Sequence, residues 1–379
     1  MRSLVGLSVV KMRVIRVLSI SARYGLRKNF RRVIVKKLVT VLLILAMVGG
    51  TLFAAGQTEA AAKDDKLEIV LVVKLEGVAW FDSTRDGIEA FAADHPDVNA
   101  YQVGADTADP ASQIAIINDL IAKGVDAILV VPNDPDALVP VFKKANDAGI
   151  LTFTHEASTQ NQVSYDLEAF DNDQYGRHMM DIMAEWMDFE GKWQPFVGNL
   201  TSVTHNEWVD GELAQAEEKY PDLYTAQSRV EDRENQQLAY ERTLELLKTH
   251  PDLKAVMGSA MSTVPGAAAA IEERGLIGKV AAFGTCLPSV AGDYLKSGAA
   301  QSIHFWVPAD AAYATAKLAY MMLTDQEIKE GIDLGVPGYN DIIIRKNAHG
   351  VPVVYGQAWV DVNKDNLDEW TNADGTYVL

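Results

Sequence analysis

Lys74, Glu76, Trp80 and Phe81 fall within the eight residues that follow the apolar run Leu67–Val73. An ammonium, a carboxylate and two large rings at the mouth of a strand suit a polyol, whose C–H face stacks on a ring while its hydroxyls exchange hydrogen bonds with charged groups. A nucleotide site would need a glycine-rich turn there so that backbone N–H groups reach phosphate. Only Gly77 is present, and neither GxGxxG nor GxxxxGK occurs in the chain.

The same mixture recurs where other apolar runs end. In LTFTHEAST, His155 and Glu156 leave a strand, and a carboxylate there can accept paired hydrogen bonds from adjacent hydroxyls; its ordinary reading is a solvated loop glutamate. In VVPNDPDAL, Asp134 and Pro135 read as a helix cap, which accounts for most of the stretch and leaves Asn133 as the candidate contact. NLTSVTHNEWVDG sets Thr204, His205, Asn206 and Trp208 at a helix start, and GSAMSTVPGAAAA sets Pro265 and Ala267 where small side chains let a helix end come close. FGTCLPS and IHFWVPAD add Thr285 and Trp306. For Trp80 and Phe81 the competing reading is inward packing of a first helical turn, expected of one of the two. One such exit carries little weight, but its recurrence at matching positions describes a cleft.

Strands must hold these positions. Leu67–Val73, Val98–Val103, Ala127–Val131 and Leu151–Thr154 are β-rich runs, and DPASQIAIINDLIAKG between them places Ile114, Ile117 and Ile121 on one helical face. Asp109-Pro110 opens that helix and Gly124 closes it. The alternation restarts with Gln194–Val197, Tyr224–Arg229, Ala255–Gly258, Val280–Phe283 and Gln301–Ile303. Two successive runs of this kind predict an α/β protein of two doubly wound parallel-sheet lobes, with helices on both faces of each sheet. Ligands in such sheets sit outside the carboxyl ends of the strands, and between two lobes those ends can face one another. DIIIRK and PVVYGQAWVDV are strands with no full helix between them, as in a return crossing. Residues 66–157 and 302–345 are thus expected to form the first lobe, and 158–301 and 346–379 the second. The chain is expected to pass between lobes near Ser158–Asp166, Gln301–His304 and Arg345–Val353, which permits a hinge.

The 379 residues are 48% hydrophobic, enough for sizeable cores. Met1–Lys37 holds eleven Lys and Arg and no acid, so the rest of the chain carries 23 basic against 52 acidic residues. A body so acidic repels phosphate backbones and bare anionic membrane, and nucleic acid is not expected as a partner. Cys286 stands alone, which excludes an internal disulfide or a cysteine zinc cluster and leaves a buried inert thiol as the expected role. Lys36-Lys37, LVTVLLILAMV, Gly49-Gly50 and LFAAG follow the order of a secretory signal peptide, cleaved near Ala54–Gly56, with 1–55 as upstream extension plus signal and 56–65 as linker. The apolar run stops short of the ~20 residues of a spanning helix. Initiation at Val35 would give an ordinary signal peptide; a basic amphipathic presequence is the alternative. Export to the periplasm is the expectation. DVNKDNLDEW, from Asp361, has oxygen side chains at positions 1, 3 and 5 of a calcium loop, but Asn366 stands at the sixth and Asn372 at the twelfth, so no metal is expected.

The order and wording of the exits resemble the periplasmic substrate-binding proteins of sugar ABC transporters, in the ribose-binding-like group, over Lys66–Leu379. KLEGVAWF, LTFTHEAST, THNEWV, STVPGAAAA and FWVPAD look most like the branch that includes the autoinducer-2 receptor and rhamnose-binding proteins. The resemblance implies a type I periplasmic binding protein fold with a multi-strand hinge, a small sugar-like ligand passed to ABC permease subunits, and no cofactor. In that branch the first-strand lysine and the fourth-strand carboxylate touch the ligand; Lys74 and Glu156 match them. Pro265 and Ala267 match a proline and an alanine whose backbone lines the autoinducer site. There are departures. Thr204 and His205 stand where the receptor has an Asp-Gln pair, Glu156 replaces its aspartate, and Ala260-Met261 and Thr285 replace the clamps of ribose binders. Unpaired polar groups reject ligands that lack the matching hydroxyl, so these swaps imply a changed ligand.

An enzyme would need a nucleophile with a base, or paired carboxylates, converging in the cleft; His155-Glu156 has no HExxH, GxSxG or cofactor loop beside it. A two-lobed DNA-binding regulator would begin with a helix-turn-helix instead of a signal peptide. A monomeric binding protein that closes on its ligand is expected, with a ligand sensor coupled to a chemoreceptor or sensor kinase as the other reading.

Overall fold

In the computed structural model, which describes residues 66–379, β1 (Leu67–Val73) lies between two parallel neighbours. Leu67 registers with Val98 of β2 (Val98–Gly104), and Ile69 with Ala127 of β3 (Ala127–Val130). A strand covered on both faces gains from apolar side chains at every position, which is why LEIVLVV shows little alternation. With β4 (Leu151–His155), β5 (Tyr165–Glu168), β12 (Ile343–Lys346) and β13 (Pro352–Tyr355) the first sheet runs β12-β13-β5-β4-β3-β1-β2, and only the β12–β13 pair is antiparallel. The signal-peptide, linker and start-site expectations fall on residues 1–65, outside the described residues. Among those described, no helix is long and apolar enough to cross a membrane.

Helices α2 (Pro110–Lys123) and α3 (Pro135–Asp147) cover one face of this sheet, where Ile117, Leu138 and Phe142 pack with Val70, Val72 and Ile128. Both begin as the sequence predicts. Asp109 Oδ2 accepts from Ser112 N at 2.9 Å and Asp134 Oδ1 from Ala137 N at 3.1 Å, each ahead of a proline. Helices α1 (Ala79–Asp94) and α9 (Pro308–Leu323) cover the other face and touch through Gly87, where a Cβ would lie 2.0 Å from Ala309 O.

The second sheet is built the same way from β6 (Gly191–Val197), β7 (Leu223–Thr225), β8 (Val230–Glu231), β9 (Leu253–Gly258), β10 (Ala281–Thr285), β11 (Ala300–Phe305) and β14 (Val360–Asn363). Its order is β14-β11-β10-β9-β6-β7, with β8 beside β6 and β14 antiparallel. Its helices are α4 (Asn172–Trp186), α5 (Val203–Lys219), α6 (Gln236–Thr249), α7 (Thr263–Glu273) and α8 (Pro288–Ser297). The single strand expected over Tyr224–Arg229 is instead the pair β7 and β8. The buried Gln194 side chain donates to Ser228 O at 2.9 Å and accepts from Gln227 N at 3.2 Å, holding out the loop that separates them.

The lobe boundaries differ from the expected ones. β5 stays in the first sheet, as do β12 and β13, so residues 158–168 and 346–355 belong to the first lobe; β11 places 302–305 in the second. The crossings therefore fall at 169–171, 306–307 and 356–359, later than Ser158–Asp166, Gln301–His304 and Arg345–Val353. The first and third run side by side, with Gly356 N donating to Glu168 O at 2.9 Å and Ala358 N to Ala169 O at 3.1 Å. Each crossing contributes one large ring. Phe170 meets Trp306 at 5.4 Å and Trp359 at 5.6 Å between centroids.

Candidate functional site between the lobes

In each sheet the order of winding reverses once, between β1 and β3 and between β6 and β9. Loops leaving such a pair diverge to opposite faces and open a crevice. Between the two crevices lies a cavity of about 120 Å³, lined by Lys74, Trp80, Phe81 and Glu156 of the first lobe and His205, Trp208, Glu234, Pro265 and Thr285 of the second, with Trp306 from a crossing segment.

At its centre Lys74 Nζ is 2.7 Å from Glu156 Oε2 and 3.8 Å from Glu234 Oε1, with all three side chains buried or nearly so. Burial alone would lower the Lys74 pKa, but Glu156 and Glu234 outweigh it and hold the ammonium above the ordinary lysine value. Burial also opposes ionisation of Glu156; Lys74 overcomes it, and that carboxyl sits below the usual range. Glu234 shifts the other way, raised by burial, with Lys74 pulling it down and Glu156 pushing it up. The backbone is bent to deliver both acids. Glu156 has φ 65, and Arg233 and Glu234 have φ 56 and 54, a left-handed conformation seldom held by side chains of this size without a surrounding reason. Gly198 makes room for the second acid, since a Cβ there would lie 2.3 Å from Glu234 Oε1.

His205 Nδ1 accepts from Gly198 N at 3.1 Å, so the ring carries its hydrogen on Nε2. Burial and then Lys74 push its pKa down to about 3, which keeps it neutral. The walls are aromatic: Trp80 meets Trp306 edge-on at 4.7 Å, and Trp208 meets Trp306 at 5.7 Å. Trp208 Nε1 donates to Asn172 Oδ1 at 2.8 Å, whereas Trp306 Nε1 and Glu234 Oε1 are buried without a hydrogen-bond partner among the described residues. Such a set offers donors, acceptors and ring faces together, the complement of a molecule rich in hydroxyls.

Several expected residues stand behind the cavity. Asn133 Nδ2 donates to Lys74 O at 3.2 Å, bracing the backbone that carries the lysine. His155 Nδ1 donates to Leu167 O at 2.7 Å and the ring abuts Trp306. Thr204 Oγ1 donates across the lobes to Glu168 Oε1 at 3.3 Å. Asn206 is spent on Leu200 O, Ser202 O and the Arg229 guanidinium, and Ala267 is core. The sequence reading had passed over Glu234, Gln236, Ser259 and Ser262, which do line the cavity. Both Trp80 and Phe81 face it, though each is also almost fully buried. Cys286 is buried and inert as expected, its thiol pKa pushed well up by burial.

Two doubly wound lobes joined by three crossings, with a lined cleft between facing strand ends, define a cleft-binding protein. Residues 69–327 match the periplasmic binding protein domain family, and the chain belongs to that family. It is similar to the D-ribose/D-allose-binding protein of Pseudomonas aeruginosa, 28% identical over 235 residues that cover 59% of this chain and 72% of that one. It is also similar to the ribose import binding protein RbsB of Escherichia coli, 28% identical over 243 residues, 63% of this chain and 77% of that one. Among solved structures, LsrB from Clostridium saccharobutylicum in complex with AI-2 superposes with a TM-score of 0.75 at 19% identity, over 81% of this chain and 100% of that one. An ABC transporter solute-binding protein from Clostridium phytofermentas with bound L-rhamnose gives 0.72 at 23% identity, over 80% and 98%. At these identities the structural matches establish the fold, which is the type I periplasmic binding protein fold.

Proposed function

We propose that the protein binds a small sugar or sugar-like polyol in the interlobe cavity and hands it, on the extracytoplasmic side, to the permease of an ABC importer. It acts as a monomer that closes about its hinge. The observation that carries this reading is the lining itself: Lys74, Glu156, Glu234 and the Nε2–H of His205 set among Trp80, Phe81, Trp208 and Trp306. A hydroxyl both donates and accepts, so one polyol can serve the carboxylates and the donors at once. A phosphorylated or carboxylate ligand would meet two acids for one ammonium. The ribose-binding relatives support a sugar.

Contacts between the lobes support closure. Glu234 of the second lobe reaches Lys74 of the first, Thr201 Oγ1 donates to Asn133 O at 3.1 Å, and Ser158 Oγ donates to Glu207 Oε1 at 2.5 Å. A ligand that bonds to both halves favours the closed arrangement by its differential affinity for it. A thermal-shift screen of pentoses, deoxyhexoses and the boron-free autoinducer-2 isomer tests the reading, since a ligand bound only by the folded state raises the melting temperature. One or two sugars are expected to do so. A panel that leaves the transition unmoved, while an amino acid or peptide shifts it, would overturn the assignment.

A further inference from the structure

Away from the cavity, the second lobe brings two imidazoles and a carboxylate together. His178 on α4, His304 on β11 and Asp361 on β14 have their nitrogen and oxygen ligand atoms within 4.8 Å of one another. Asp361 Oδ2 is 2.7 Å from His178 Nε2, and Oδ1 is 2.7 Å from His304 Nδ1. We propose that this triad is a binding site for a zinc-class divalent cation, placed at the root of the hinge.

Four features carry the proposal. The donor set is right: two imidazole nitrogens and one carboxylate oxygen are what borderline cations such as zinc take. The spacing is close. Bonds of about 2.0–2.2 Å at tetrahedral angles hold ligand atoms roughly 3.3 Å apart, inside the 4.8 Å that contains one ligand atom from each of the three residues. The rings are oriented. His304 Nε2 lies 3.0 Å from Ser302 Oγ, an outer partner able to accept from Nε2–H once a cation displaces the proton that Nδ1 now gives Asp361 Oδ1. The His178 ring is stacked on Trp359, 14° from parallel with centroids 5.4 Å apart. Lastly, access is open on one side only: His304 is fully buried, while His178 and Asp361 keep 32% and 37% of their side chains exposed, so a fourth position would face solvent.

The location suggests a structural task. His304 stands two residues before the second crossing, Asp361 just past the third, and α4 begins where the first ends. An ion held there would tie the second-lobe ends of the second and third crossings to α4, the helix that follows the first. Without affinity for metal, the triad is only a hydrogen-bonded bracket, and titration separates the two.

The untagged full chain, stripped with EDTA and dialysed, is titrated with zinc chloride by calorimetry. One equivalent is expected to bind with a micromolar or tighter dissociation constant, and cobalt(II) is expected to give visible d–d absorption. His178→Ala and the near-isosteric Asp361→Asn, each checked for fold by circular dichroism, should weaken zinc binding by about tenfold or more. His349→Ala, an exposed histidine elsewhere, should not. No saturable binding below millimolar zinc, or unchanged affinity in folded His178→Ala and Asp361→Asn, would overturn the site.

Discussion

Glu234 is the residue whose substitution separates stability from binding. Its raised pKa means that the ionised carboxylate is less comfortable in the cleft than in water, even beside Lys74. Glu234→Gln keeps the shape and removes the charge, so the ligand-free protein is expected to melt no lower than the parent. Sugar affinity should nevertheless fall roughly ten- to a hundredfold, the value of a charge-assisted hydrogen bond of about 1.5–3 kcal/mol. Calorimetry with whichever sugar the thermal screen identifies would show it, and an unchanged dissociation constant would remove Glu234 from the site. Lys74→Met is the harsher change. It leaves Glu156 buried without its cation, and breaking one side of a buried pair costs about 3–5 kcal/mol, so a large fall in melting temperature should accompany the lost affinity. Lys74 and Glu156 could be read from the sequence because each directly follows a clear apolar strand. Glu234 could not, because EDREN looks like a solvated charge run; only two consecutive left-handed residues and the bare Gly198 turn it inward.

β5 is the element least visible in the sequence and the most informative in the fold. YDLE carries Asp166 and Glu168, two residues apart and so on one face, and strand readings do not expect buried acids. Both are buried, and Glu207 approaches from α5, bonded to Ser158 and Asn172. Tyr355 of β13 lies beside them and Arg345 stacks on its ring, but among the described residues none of the three carboxylates forms an ion pair. Burial, only partly offset by the bond from Ala157 N and the nearby Thr154 hydroxyl and Glu168 carboxyl, raises Asp166 to about 7, and burial with Asp166 and Glu207 raises Glu168 well above its usual range. A carboxyl raised on folding contributes its full stability below its unfolded value near 3.8 and loses it as the pH climbs through the folded value. Each proton retained by the native state gives a slope of about 1.4 kcal/mol per pH unit across that window. Melting temperature should therefore fall between pH 5 and 8, and Asp166→Asn, which preserves the bond from Ala157 N, should flatten the fall and be the more stable protein at pH 8. Parallel curves for the two proteins would rule this out. Helix starts are legible where caps such as Asp109-Pro110 and Asp134-Pro135 punctuate them; the crossings are not, because β5 is hidden by its acids, β11 runs on to Phe305, and nothing in PVVYGQAWVDV marks that its first half pairs in one sheet and its end in the other.

At the scale of the whole molecule, three crossings allow one lobe to rotate against the other while the rings of Phe170, Trp306 and Trp359 stay in contact across them. A tight sugar is expected to shrink the radius of gyration in solution scattering and to shift tryptophan emission, with Trp306→Phe losing most of the emission change but not the compaction. Saturation without compaction would refute closure. The interleaved chain also sets a timetable. Strands β1 to β5 are complete by Glu168, yet the face they share with α1 is left half covered until α9, which supplies Leu318 and its alanine-rich neighbours to the core, and the sheet's far edge waits for Tyr355. Neither lobe can finish while the ribosome still holds the last third of the chain, so the polypeptide stays pliable through most of its own synthesis. For the extracytoplasmic role proposed above, that delay would keep the chain fit for passage across a membrane, an advantage written into the order of its strands.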